Sequence, residues 1–161
     1  MTDTNELAHV AEVLDGARIA ILTTQSARSH LVSRPLALVQ RDFDGSVWFF
    51  TQDPSPKVDD VRSHPQVNVA VDSKGGYLSL SGKAEIVKDP ATIDEMWTAS
   101  AEAWFDQGRQ DPTVALLHVD VETAEYWTSD VPRAVTLLKY AKAAVTGGHP
   151  KNVGDNGTVA L

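Results

Sequence analysis
Apolar residues recur at helical spacing in a few stretches of this 161-residue chain, and elsewhere alternate with polar ones or gather in short blocks. Leu7, Val10, Ala11 and Leu14 repeat with a helical period, Asp3 and Glu6 stand in capping-box positions, and Gly16 is placed to stop the helix. RIAILTT, LVSRPLALVQ and SVWFFT follow, separated by the turns QSARS and RDFDG; their length and their β-branched and aromatic residues predict a three-strand meander. A short helix is expected from Pro56. QVNVAVD alternates at Val67, Val69 and Val71, turns at KGG, and is followed by YLSLSG running into KAEIVKD. Asp89 and Pro90 read as the cap and first residue of a second long helix, whose Ile93, Met96, Trp97, Ser100, Ala101 and Trp104 share a core-facing side.

GRQDP breaks that helix, TVALLHVDVETAEYW supplies one or two strands, and VTLLKYAKAAV is a last helix ended by Gly147 and Gly148. The polar, Gly-rich remainder reads as an arm or frayed tail, so the expected organisation is one domain over 1–146 with a tail over 147–161. About seven short strands with few helices between them do not have the strand-helix rhythm of a parallel sheet. The predicted class is mainly β (α+β): a small antiparallel barrel with peripheral helices.

Charge narrows the partners. Fourteen Lys and Arg against twenty-two Asp and Glu leave a net charge of −8, which argues against nucleic acid or an anionic membrane surface. With no cysteine, disulfides, thiolate metal sites and cysteine nucleophiles are excluded. No charged-then-apolar leader opens the chain and no apolar run approaches the roughly 18 residues of a membrane span, so a cytoplasmic location is expected.

Within this acidic chain Lys57 is out of place. Ser55 is the expected N-cap and Pro56 the first helical residue, which puts Lys57 in a first turn where the helix dipole disfavours a cation. A bound anion such as phosphate would reconcile the hydroxyl, the free amides and the ammonium; Asp53 or Asp60 neutralising the lysine is the alternative. Arg34 shares a strand face with Val32, Leu36 and Leu38, so its guanidinium needs a partner: a phosphate, or a carboxylate such as Asp42. Pro35 removes a ladder donor beside it, implying an edge or bulge that a ligand can approach. Trp48 and Phe50 either wall an aromatic ligand or belong to the core. GGYLSLSGKA lacks the glycine spacing and the Ser or Thr of a phosphate loop, and the five histidines are too scattered for a helical metal pair.

Ser-Arg-Pro on one strand, Trp-Phe-Phe-Thr on the next, Ser-Pro-Lys-Val opening a helix, Pro-Gln-Val-Asn-Val, Ser-Gly-Lys-Ala-Glu and Ala-Glu-Tyr-Trp occur in this order. The set resembles the general-stress-protein branch of the pyridoxamine 5′-phosphate oxidase-like superfamily of FMN-binding split barrels, from about residue 6 to the Ala-Ala-Val-Thr-Gly-Gly segment. The resemblance implies a homodimer with FMN in clefts between subunits and flavin-dependent oxidoreductase activity toward a small-molecule electron donor or acceptor. Passive storage or sensing of FMN, or binding of deazaflavin or haem, are the alternatives. By the same resemblance, the strand from Arg34 through Pro35 and Leu36 to Val39, together with Phe50 and Thr51, contacts the flavin. Arg34, Ser55 and Lys57 hold its phosphate, and Tyr77, Ser79 and Trp127 reach it from the partner subunit. The basic segment that holds substrate phosphate in true pyridoxamine phosphate oxidases is replaced here by TSDVPRAVTLL, in which Arg133 alone is basic. Pro56 and Val39 also stand where basic residues are expected. Oxidation of pyridoxamine phosphate itself is therefore not expected.

Overall fold
The computed structural model describes residues 4–128 and 155–161. Helix α1 (Thr4–Asp15) precedes the hairpin β1 (Ile19–Gln25) and β2 (Leu31–Ala37), then β3 (Ser46–Gln52) and α2 (Pro56–Ser63). A second hairpin, β4 (Gln66–Ser73) and β5 (Gly76–Val87), is followed by α3 (Pro90–Met96), α4 (Ala99–Trp104) and a 3-10 turn at Gly108–Gln110. The long β6 (Val114–Thr128) and β7 (Asp155–Ala160) complete the order.

The strands form one antiparallel sheet in the order β2-β1-β4-β5-β6-β3, with β7 also paired to β6. The predicted meander is corrected here, because β3 leaves its sequence neighbours and pairs with β6 from Ser46↔Asp120 to Gln52↔Val114. The two end strands, β2 and β3, meet only at the isolated bridge Leu38↔Phe49, beside the Val39 N–H to Trp48 carbonyl bond of 2.9 Å. The sheet thus curls into a barrel that stays split along one seam. Pro35, which has no N–H to donate, sits on the free edge of β2 opposite Ile21, where no ladder bond is lost.

Period-two alternation drives the interior. Leu22, Phe49, Val69, Leu80, Leu117 and Val119 are fully buried inside the barrel, and Val10 and Val13 of α1 pack against the same cluster. Glycines permit two close approaches. At Gly76 (φ 132°) a Cβ would lie 2.2 Å from the Trp127 carbonyl oxygen, and at Gly82, beside the bulge in β5, 2.0 Å from that of Asp120.

A second, smaller cluster lies outside the barrel under α3 and α4, built on Ile93, Met96, Phe105, Val114 and Leu116, with Trp48, Phe50 and Trp97 against it. The single long helix predicted here is two short ones. Met96 ends α3, the chain extends through Trp97 (ψ 135°) and Thr98 (ψ 160°), and the Thr98 hydroxyl caps α4 by accepting from the Ala101 N–H at 3.1 Å. As a result Ser100 and Trp104, expected in the core, are exposed, Trp104 at 76%.

TVALLHVDVETAEYW forms one continuous strand, and Asp155–Ala160 of the expected tail lie in register along it, from Thr123↔Ala160 to Thr128↔Asp155. The predicted last helix, Gly147, Gly148 and Arg133 lie outside the described residues. No described helix is long and apolar enough to cross a membrane.

Candidate functional site
A cleft of about 580 Å³ opens at the seam of the barrel. One wall is the end of β2 and the residues just after it, 35–39, with Ile19 of β1, and the floor is Phe50, Thr51 and Gln52 of β3. The opposite wall is the α4 segment, with Thr98, Ser100, Ala101, Trp104 and Phe105. Phe50 holds that wall in place through edge contacts with Trp97 (5.4 Å between ring centres) and Phe105 (6.4 Å). Lys57 supplies the one ionisable side chain among the described lining residues.

The cationic end is built by the short link from β3 into α2. Pro56 opens the helix and the Ser55 backbone is extended, but the Ser55 hydroxyl makes no capping bond. It instead accepts from Lys57 Nζ at 3.3 Å. Neither proposed neutraliser serves Lys57. Asp53 is held bidentately by Arg62, at 2.8 and 3.1 Å, with Lys88 at 3.4 Å, and Asp60 faces Arg34 and Thr24. Among the described residues no carboxylate lies within 4.0 Å of Lys57. Burial, and then the nearby Arg34 charge, hold its ammonium below the usual lysine value.

Arg34 is half-buried on the inner face of β2 and does not line the cleft itself. Its partner is Asp60, 3.7 Å from Nη2, and not Asp42, which is exposed. Nη1 donates to the Thr24 hydroxyl at 2.7 Å and to the Leu22 carbonyl at 3.4 Å. Burial pulls its pKa down and Asp60 opposes the shift. Among the described residues, Nη2 and Nε of Arg34 make no hydrogen bond, so part of the guanidinium fork is unspent.

Thr51 adds an independent sign of a ligand. Its side chain is 5% exposed, it lines the cleft, and its hydroxyl oxygen has no hydrogen-bond partner among the described residues. Buried hydroxyls are rarely left unpaired without a reason. A long aromatic-walled cleft, an orphan hydroxyl on its floor and an unneutralised lysine at one end fit a planar ligand with an anionic tail.

The structure therefore gathers Pro35, Leu36, Phe50, Thr51 and Lys57 at one cleft, with Ser55 and Arg34 behind its charged end. Tyr77, Ser79 and Trp127 are not among the lining residues of the same protomer. They lie across β5 and β6 on the outer face of the sheet, where Tyr77 pairs with Trp127, and Ser79 Oγ accepts from Asn68 Nδ2 at 2.9 Å. Trp48 turns away from the cleft and stacks on His118 at 4.1 Å, and His118 meets Glu85 at 3.0 Å. Sequence reasoning missed the α4 wall, although Thr98 followed by Ala101 carried a local cap signal. It also missed Thr24, because a buried hydroxyl in a strand gives no sign of what it faces.

An open antiparallel split barrel with its cleft at the seam is the class of protein that fold and site define. Residues 5–151 match the family described as pyridoxamine 5′-phosphate oxidase like, and the chain belongs to this family. Within it the chain belongs with the general stress proteins. A solved structure described as general stress protein 26 from Jannaschia sp. CCS1 is 28% identical and superposes with a TM-score of 0.75, over 99% of this chain and 100% of its own. The general stress FMN/FAD binding protein of Xanthomonas citri is 28% identical, with a TM-score of 0.69 over 80% of this chain and 93% of its own. Protein bli-3 of Neurospora crassa is 28% identical in an alignment of 142 positions that covers 81% of this chain and 68% of that protein.

Proposed function
We propose that this protein is an FMN-binding flavoprotein acting as a flavin-dependent oxidoreductase. The observation that carries the reading is Lys57 in the first turn of α2, without a carboxylate partner among the described residues, in a cleft whose floor holds the unpaired Thr51 hydroxyl. Lys57, Ser55 and Arg34 would hold the phosphate, Pro35, Leu36, Phe50 and Thr51 would line the ring, and the family and the Xanthomonas citri relative support a flavin there. Bound FMN would supply the acceptor and donor of electron pairs; the chain's part is to orient it, neutralise its tail and limit water. Once Lys57 is committed to the cofactor, the described lining offers no second cation, which favours an uncharged reaction partner over a phosphorylated one.

The proposal includes a homodimer. Ile19, Ile21, Tyr77 and Trp127 are 51%, 41%, 53% and 43% exposed on the outer face of one sheet, and large apolar side chains exposed on one face are of the kind that marks an interface. A second copy seated there would bring its Tyr77, Ser79 and Trp127 toward this copy's cleft.

The cleft lining also supports a passive binder as a second reading, because among the described residues it provides no carboxylate or imidazole as general acid or base. Haem is disfavoured by the absence of His, Cys and Met from that lining, and deazaflavin is separated from FMN by its absorption spectrum. Purified protein should bind added FMN with a perturbed visible spectrum. Anaerobic mixing with NADH or NADPH should then bleach it at catalytic rates. Binding without bleaching by any donor would favour storage or sensing, and no FMN binding at all would remove the proposal.

A further inference from the structure
Three elements meet behind the cationic end of the cleft at a side chain that does not touch the cleft. Thr24, at the end of β1, is fully buried. Its hydroxyl receives a hydrogen bond from Arg34 Nη1 of β2 at 2.7 Å and stands 2.8 Å from Asp60 Oδ2 of α2. The direction of these bonds is fixed by chemistry. A guanidinium cannot accept, so the single hydroxyl proton of Thr24 goes to the carboxylate and a lone pair faces the arginine. Arg34 and Asp60 are 3.7 Å apart, too long for a direct hydrogen bond, so Thr24 carries the link between them.

This arrangement fixes which part of the guanidinium makes no hydrogen bond, although Nη2 keeps its 3.7 Å ion pair with Asp60. Nη1 is spent on Thr24 and the Leu22 carbonyl, which leaves Nη2 and Nε without hydrogen bonds among the described residues. Asp60 sits on the same helix as Lys57, one turn further on, so the relay also ties the aim of Arg34 to the placement of the first turn of α2. We propose that Thr24 is a positioning residue for the anionic tail of the ligand: through Asp60 and Arg34 it sets the guanidinium beside Lys57 to receive a phosphomonoester. This inference rests on the flavin-phosphate reading above.

The test compares FMN with riboflavin, which has the same ring but lacks the phosphate. Dissociation constants for both are measured by quenching of free-flavin fluorescence on the full chain, for the parent, Thr24→Val and Thr24→Ser. Valine keeps the volume and strand preference and removes only the hydroxyl. Thr24→Val should weaken FMN about tenfold, the scale of one hydrogen bond to a charged group, with riboflavin unchanged, and Thr24→Ser should restore the parental preference. Thr24→Ala, which removes the same hydroxyl in a different steric setting, should repeat the loss, with circular dichroism showing that each variant is folded. An unchanged FMN-to-riboflavin preference in Thr24→Val and Thr24→Ala, or an equal loss for both ligands, overturns the positioning role while leaving the flavin reading intact. A parent that binds FMN no better than riboflavin overturns the phosphate seat itself, and the positioning role with it.

Discussion

The two ends of α2 use cations in opposite ways. At its C-terminal end Arg62 makes two hydrogen bonds to Asp53, and Lys88 adds a third cationic contact to the same carboxylate. Both cations there have a carboxylate partner, Arg62 suits the negative end of the helix dipole, and the cluster pins the link from β3 into α2. At the N-terminal end Lys57 opposes the dipole, has no carboxylate within reach among the described residues, and is pushed toward its neutral form by burial and by Arg34. One helix thus separates a charge arrangement that serves the fold from one that costs the fold something and is explained by a ligand. Perturbed groups at a cleft are candidates for function for this reason.

Predictions follow from this contrast in order of size. Removing both cations at the N-terminal end, with Arg34→Ala and Lys57→Ala, should weaken FMN by at least about a hundredfold, since each charge-assisted bond contributes about 1.5–3 kcal/mol. The visible spectrum would then show no bound flavin while circular dichroism stays native. Trp127→Asp should place a charge on the outer face of the sheet and shift the protein from dimer to monomer by light scattering, with loss of flavin affinity. In the cluster that Arg62 makes with the β3-α2 link, Asp53→Asn should lower the melting temperature more than it lowers flavin affinity. The sign of its pH dependence is set by Arg62 and then Lys88, which hold the Asp53 carboxyl below the usual carboxylate range. Its contribution is present above the unfolded carboxyl value near 3.9 and is lost as pH falls through the folded one, so parent and variant melting temperatures should converge in acid.

A smaller effect, at Lys57, has a less obvious sign. A lysine whose folded pKa is depressed destabilises the folded state while it is charged, and the penalty disappears as pH rises from the folded pKa through the unfolded value near 10.4. Lys57→Met should therefore stabilise the flavin-free protein at neutral pH, by about 1 kcal/mol or less given its partial exposure, which a higher melting temperature reports. Trp104→Ala, at a largely exposed residue, should leave stability within about 0.5 kcal/mol and report only on cleft ligands.

Local signals were legible in the sequence, and distant partners were not. The alternation of Val67, Val69 and Val71 and the Ser55-Pro56 helix start needed only neighbours along the chain, and both appear in the structure. The pairing of β3 with β6 could not be read from alternation, because period two tells which face a residue takes and not which strand lies alongside it. The break at Trp97 and Thr98 was hidden because a helical period continued across it, so Trp104 read as core when it forms the cleft wall. For the site, the sequence marked Lys57 and Arg34 as unusual but not their surroundings. Asp60 took the place expected of Asp42, and Thr24 came into view only when three elements converged.

The central claim is that Lys57 stands without a carboxylate partner among the described residues for the sake of a phosphate. Its most direct test is the FMN dissociation constant of parent and Lys57→Met protein at the same pH and salt, with melting temperatures recorded without ligand. The account predicts at least tenfold weaker FMN binding by a variant that is no less stable than the parent; equal affinity in the two proteins would contradict it.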